Sequence, residues 1–202
     1  SATQAAALTT SQFGALTATA IAGLTSTAVS ALSVSQIDSL TTTQVAALSA
    51  TAISGLTRTE IAAMSQDQLA ALSTTQIAGL TETQIASLDT SQIAGMNTTQ
   101  LRALISAAIA GLSVTAIAAL SSTQVGSLTA TQIAAFASTQ IAALTADQIG
   151  NLSTTAIASL SSSQLGALTT TQTAALTTTQ LAALSATAAS GLTTADLQTL
   201  TT

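Results

Sequence analysis

The stretch STTQIAGL at 73–80, followed by TETQIASL at 81–88, sets the pattern of the whole chain. Leu, Met or Phe occupies every eighth position from Leu8 to Leu200, which divides the sequence into 25 octads and the tail Thr201–Thr202. The positions of each octad are numbered 1 to 8, with the Leu, Met or Phe at position 8. No insertion or deletion interrupts the period. Because so short a repeat cannot bury its apolar face alone, each octad is a structural unit that needs its neighbours.

The polar columns of the octad predict a helix start. Position 1 is Ser, Thr, Asp or Asn in every octad except those that begin with Ile105 and Ala137, and these four residue types share the helix N-cap role. Position 4 is mostly Gln and once Glu, at Glu60. The resulting S/T-x-x-Q/E pattern is a capping box, in which two side chains satisfy each other's backbone N–H groups. Position 5 is mostly Ile, Leu, Val or Phe and forms a hydrophobic staple with the preceding position 8.

The remaining columns fit a helix of little more than one turn. Positions 6 and 7 are small, and all ten glycines lie there. Glycine near a helix end suggests a C-cap, but Ala is commoner in these columns, so close packing is expected to be the main demand. Charged residues avoid positions 5, 7 and 8, whereas Arg58 and Glu82 mark position 2 as solvated.

These columns predict an all-α fold, a solenoid or superhelix of very short capped helices with one helix per octad. One continuous helix is excluded because eight residues overshoot two full turns by about 80°, so that the Leu stripe would spiral. A β-solenoid is the alternative, since Thr, Ile and Val favour strands. Against it, the spacing would place Ile77 and Leu80 on opposite faces of a strand. The chain is expected to be a single array over 1–202, a segment of a longer chain or a filament subunit, with two or three octads per coil.

The composition excludes most kinds of functional site. The chain carries 7 acidic and 2 basic residues and contains no His, Cys, Lys or Tyr, which removes most general bases, nucleophiles and soft-metal ligands. We therefore expect no enzyme, and no catalytic, cofactor-binding or metal-binding residue. Nucleic acid is not an expected partner because Arg58 and Arg102 stand alone. Ser or Thr interrupts every apolar run before the about 18 residues that a membrane span requires.

A few residues match short functional motifs, and each has a simpler explanation. Asn97 and Asn151 begin glycosylation sequons, but chance matches are expected in a Ser/Thr-rich chain, and Asn97 stands at the N-cap position. Four aspartates could suggest calcium, but they lie far apart in sequence; they are Asp67, Asp89, Asp147 and Asp196.

Octads such as LTTTQLAAL at 176–184 resemble the tandem LTTxQIxAL-type octapeptide-repeat regions of large secreted or surface proteins of bacteria. The resemblance covers the whole chain. The same motif is locally similar to the start of a TAL-effector repeat, but the period of about 34 residues in that family excludes it. The octapeptide resemblance implies an extracellular or cell-surface location and a structural role, and it transfers no catalytic residue.

The sequence therefore predicts a structural repeat protein, forming an extracellular fibre or the stalk of a surface protein such as an adhesin. Its expected partner is itself, through head-to-tail stacking or filament assembly, or adjoining repeats. The alternative is an ice- or glycan-binding module that presents the Thr-rich columns at positions 1 and 3 as a hydroxyl array.

Overall fold

A computed structural model describes residues 1–200 of the chain. Over that range every octad forms one α-helix of four to six residues, and no residue lies in a strand. The predicted all-α solenoid of very short helices is confirmed, and the β-solenoid alternative is wrong.

The contacts divide the chain into two compact units. Unit 1 is Ser1–Gly111 and contains α1 (Ala2–Ala6), α2 (Thr10–Gly14), α3 (Ala18–Ala22), α4 (Ser26–Val29), α5 (Val34–Asp38), α6 (Thr42–Ala47), α7 (Ala50–Ser54), α8 (Arg58–Ala63), α9 (Gln66–Ala70), α10 (Thr74–Ala78), α11 (Glu82–Ile85), α12 (Thr90–Ala94), α13 (Thr98–Ala103) and α14 (Ser106–Ile109). Unit 2 begins at Leu112 and contains α15 (Val114–Ala118), α16 (Ser122–Ser127), α17 (Ala130–Ala134), α18 (Ser138–Ala142), α19 (Ala146–Gly150), α20 (Thr154–Ala158), α21 (Ser162–Leu165), α22 (Thr170–Ala174), α23 (Thr178–Ala182), α24 (Ala186–Ala189) and α25 (Thr194–Thr199).

Each helix begins directly after position 1, as the capping pattern predicts. In α10, Gln76 N donates to Ser73 Oγ at 3.3 Å, and Ser73 N donates to Gln76 Oε1 at 2.7 Å. The two octads without a capping side chain behave differently. Ile105 caps α14 with no side-chain hydrogen bond, whereas the Ala137 N–H still donates to Gln140 Oε1 at 2.7 Å. Half of the box therefore survives where the N-cap side chain is lost.

The helix ends use glycine for close packing and not for a left-handed turn. Five glycines stand at helix C-caps, as the sequence suggests, but in the right-handed helical conformation, and no glycine among residues 1–200 has a positive φ; the five are Gly23, Gly55, Gly79, Gly95 and Gly166. A Cβ added to Gly55 would lie only 2.5 Å from the Ser26 carbonyl oxygen, and one added to Gly111 would lie 2.6 Å from that of Glu82. Position 7 of one octad thus meets the backbone at position 2 of the octad three earlier, and the expected demand for small side chains is confirmed.

Within each unit, every helix packs against the helix three further along the chain. Examples are α1 with α4 and α4 with α7 in unit 1, and α15 with α18 and α18 with α21 in unit 2. The side chains at positions 5 and 8 fill the interior, and Ile77 and Leu80 are both at most 1% exposed. Positions 1 to 3 face outward in most octads.

Candidate functional site

The glutamines at position 4 make a repeated set of polar contacts between octads that are distant in sequence. At least twelve of them donate a side-chain hydrogen bond from Nε2 to the position-8 carbonyl oxygen 28 residues earlier, at 2.6–3.0 Å in eleven cases and also from Gln172 to Leu144. We call these residues the glutamine ladder: Gln36, Gln44, Gln68, Gln76, Gln84, Gln92 and Gln100 in unit 1, and Gln140, Gln148, Gln164, Gln172 and Gln180 in unit 2.

The register of the glutamine ladder fixes the width of a coil. A separation of 28 residues leads from one octad to the end of the octad four earlier, whereas the helices pack against those three octads away. Helices three octads apart therefore lie side by side, which agrees with the larger of the two values, two or three octads per coil, expected from the sequence.

Gln76 shows why an amide is needed at position 4. Its Oε1 accepts from Ser73 N at 2.7 Å, while its Nε2 donates to Val45 O at 3.0 Å and to Leu48 O at 2.7 Å. The side chain is only 3% exposed. A buried carbonyl without a hydrogen-bond partner costs free energy. The Gln76 amide therefore serves two places: its oxygen accepts at the N-terminus of its own helix, and its NH2 group donates to carbonyl oxygens at the C-terminal end of α6.

The sequence contained a signal for this second role that the capping interpretation did not use. A capping box accepts Glu as readily as Gln, yet among the position-4 residues there are sixteen Gln and only one Glu, Glu60. Both side chains offer an oxygen to the N-cap, but only the amide also offers N–H donors. The preference for Gln therefore indicates a donor function that the cap does not require.

Two acidic residues replace the amide at position 4, and one of them has a compensating partner. Asp196 accepts a hydrogen bond at 3.2 Å from Thr173 Oγ1, a buried hydroxyl in a column otherwise occupied by apolar residues. Burial would raise the pKa of Asp196, but the hydrogen bonds from the Thr193 side chain, the Thr193 backbone and Thr173 together lower it below its ordinary value. Glu60 accepts from Thr57 N at 2.6 Å.

The residues singled out by sequence motifs serve the helices themselves. Asp89 Oδ1 and Asn97 Oδ1 accept N-cap hydrogen bonds from the backbone of their own helices at 2.7 and 2.9 Å. Asn151 donates through Nδ2 to Asp147 O at 2.8 Å. In residues 1–200 no three His, Cys, Asp or Glu side chains come together in a way that could hold a metal ion.

The surface of unit 1 has a shallow depression of about 440 Å³ lined by Arg58, Thr59, Ala62, Ala86 and Ser87. Its lining combines one guanidinium group with two hydroxyls and two alanine side chains. None of the helices of residues 1–200 has the length and apolar character needed to cross a membrane.

The hydroxyls at position 1 are largely engaged in capping. In the octad 81–88, Thr81 Oγ1 accepts from Gln84 N at 3.3 Å and lies 3.1 Å from both Gln84 Oε1 and Thr83 Oγ1. Ser49 and Thr51 pair in the same way at 3.0 Å. The hydroxyl groups at positions 1 and 3 therefore hydrogen-bond to each other in several octads.

Comparison with protein families finds segments similar to one described repeat. A family model described as the ALTTAQ repeat matches the chain three times, over residues 61–98, 93–130 and 149–178. No curated protein matches the chain. The chain is therefore a tandem repeat protein, with segments in both units that match the ALTTAQ repeat.

Proposed function

We propose that this chain is a structural repeat element, forming part of an extracellular fibre or of the stalk of a surface protein, with no enzymatic activity of its own. The observation that carries the proposal is the glutamine ladder. Within each unit the helices pack against those three octads away, and at least twelve octads also make the same side-chain contact to the octad four away. Such stacking of equivalent units is the architecture of solenoid proteins.

The distribution of polar groups supports a structural role. Buried glutamines such as Gln76 and Gln148 make hydrogen bonds between coils. The hydroxyls at position 1 accept hydrogen bonds from the first turn of their own helices. Arg58 and Arg102 are the two basic side chains of the chain, and both lie within helices, α8 and α13. Trypsin-like proteases cut exposed extended chain after Lys or Arg, so this composition suits an extracellular location.

Electron microscopy of the purified chain tests the proposal. We expect unbranched, elongated particles of uniform width. Gln76→Pro removes a backbone N–H that donates to Ser73 Oγ together with a member of the glutamine ladder, and it should break or shorten them. Ala137→Ser adds a capping hydroxyl and should leave them intact. Compact particles from the unaltered chain would overturn the fibre or stalk function.

The ice- or glycan-binding alternative predicts a different result. A hydroxyl array should give thermal hysteresis or a signal on a glycan array, and replacing exposed position-3 residues such as Thr75 and Thr83 by Ala should reduce it. A structural element should give neither signal. A reproducible signal lost in those variants would replace the stalk by the binding module.

The extracellular location has its own test. An antibody against the chain should label intact producing cells, or detect the chain in their medium, without permeabilisation. Labelling that appears only after the cells are opened would overturn the location and leave the structural role standing.

A further inference from the structure

The octad 105–112, which contains α14, lacks both of the polar contacts that hold the start of other octads. Its position-1 residue is Ile105, and no side-chain hydrogen bond caps the helix. Its position-4 residue is Ala108, which cannot make the glutamine-ladder contact. Elsewhere the two defects occur singly, because Ala137 shares its octad with a ladder glutamine and every other octad with Ala at position 4 begins with Ser or Thr. We call residues 105–112 the α14 octad.

The octad 81–88, which contains α11, is a matched comparison. Like α14, α11 has four residues, and the two helices pack against each other. Thr81 Oγ1 accepts from Gln84 N at 3.3 Å, and Thr81 N donates to Gln84 Oε1 at 2.8 Å. Gln84 Nε2 also donates to Leu56 O at 2.8 Å. This four-residue helix is therefore held both at its own N-terminus and to the octad four earlier.

The corresponding backbone groups at α14 have no such partners. Among residues 1–200, Ile105 N donates no hydrogen bond, and Leu80 O, 28 residues before Ala108, accepts none. Leu80 is 0% exposed, so solvent does not replace the missing donor, and an unsatisfied buried carbonyl costs free energy. Ile105 is 48% exposed, so its apolar side chain gains little burial in place of the cap.

The hydrogen bonding of the helix itself is also weaker. Ala110 N donates to Ser106 O at 3.4 Å, whereas the equivalent hydrogen bond of α11, from Ala86 N to Glu82 O, is 2.8 Å long. A donor–acceptor distance of 3.4 Å lies beyond the usual range for a backbone hydrogen bond. The cap, the contact to the octad four earlier and the helical hydrogen bond are thus all missing or long in the same octad.

We propose that the α14 octad is a built-in opening point of the array, which unfolds locally and recloses while the neighbouring octads stay folded. Folded proteins open in local units, and those with the fewest stabilising contacts open most often. Eight residues of released chain span at most about 26–29 Å, so an array under tension would lengthen here first. The opening itself does not depend on what the chain does, but its use under tension rests on the structural function proposed above.

Hydrogen exchange of single amides in the intact chain, followed by NMR, measures the opening. The amides of Ile109 and Ala110 should exchange at least about tenfold faster than those of Ile85 and Ala86, because one cap and one buried hydrogen bond are missing. The two pairs occupy the same positions of their octads and have the same residue types. Their intrinsic exchange rates are therefore close, and a difference reports on the structure.

The substitution Ile105→Ser should close part of the opening point. Ser at position 1 with Ala at position 4 already occurs at Ser113, whose Oγ accepts from Ala116 N at 3.1 Å, so the variant keeps an arrangement that this fold uses. Exchange in α14 should slow by about fivefold, the effect of one N-cap, while exchange in α11 is unchanged. The matched control, Ala137→Ser, adds the same hydroxyl in front of α18 and should leave α14 unchanged.

Equal exchange in α14 and α11 of the unaltered chain would overturn the opening point. Exchange in α14 that Ile105→Ser does not slow, or that Ala137→Ser slows equally, would overturn it as well. Fast exchange in α14 together with compact particles in electron microscopy would remove the use under tension and leave the opening point standing.

Discussion

Replacing Gln76 by Glu tests the glutamine ladder with a change of almost no volume. The cap is kept, since the remaining oxygen can still accept from Ser73 N. The Nε2 donations to Val45 O and Leu48 O are lost, at about 1 kcal/mol for each hydrogen bond. Leu48 O is then left with no donor, and an ionised oxygen lies against it in a site that is 3% exposed. Such an unpaired buried group costs about 1–3 kcal/mol more, so we expect a loss of about 3–5 kcal/mol at neutral pH.

Urea denaturation followed by circular dichroism at neutral pH measures that loss. The matched control is Thr74→Glu, which places the same charge at solvated position 2 of the same helix; position 2 of the next octad is already an acidic residue, Glu82. It should change the free energy of unfolding by less than about 0.5 kcal/mol. The reverse substitution, Glu60→Gln, restores a donor opposite Leu32 O by the 28-residue register and should stabilise by about 1–3 kcal/mol. Equal losses for Gln76→Glu and Thr74→Glu, or a loss for Glu60→Gln, would refute the reasoning.

Further substitutions test other columns of the octad. Gly55→Ala should destabilise by about 1–3 kcal/mol because its Cβ would overlap the backbone of another octad, whereas Gly23→Ala, with its nearest neighbour at 3.5 Å, should be neutral in the same thermal melt. Asp196 has a folded-state pKa below its ordinary value of 3.8, so it stabilises the fold above that pH and ceases to do so as the pH falls through the folded-state pKa. Thr173→Val removes one of the lowering hydrogen bonds and should raise the pKa of Asp196 in an NMR titration; an unchanged pKa would remove Thr173 as a cause. Ile77→Asp places an unpaired charge in the interior and should cost several kcal/mol in the urea experiment, and a neutral result would contradict the assignment of position 5 to the core.

The local structure was predictable from the sequence because its determinants lie within one octad. The N-cap at Ser73, the box residue Gln76 and the apolar pair at positions 5 and 8 all act over fewer than eight residues. The period repeats these signals 25 times, so a single sequence carries them strongly. The small residues at positions 6 and 7 likewise indicated close packing before any partner was known.

The contacts between coils were not predictable in the same way. The partner of Gln76 is the carbonyl of Leu48, 28 residues away, and a carbonyl group is present at every residue, so it leaves no mark in the sequence. The pairing of Thr173 with Asp196 did leave one. Both residues depart from the usual residue of their columns, and they lie 23 residues apart in sequence. Only the number of octads in a coil would show that two such positions are neighbours.

Because the glutamine ladder joins side chains to the main chain, the array tolerates changes in its own length. Duplication or deletion of one octad shifts every later residue by eight positions and brings new octads into contact. Gln76 would then meet the carbonyl of a different residue, but at an equivalent place, since every octad ends in a position-8 carbonyl. A contact between two specific side chains, such as Thr173 with Asp196, would be broken by the same event. Genes for such arrays can therefore gain and lose repeats by recombination while the encoded chains still fold.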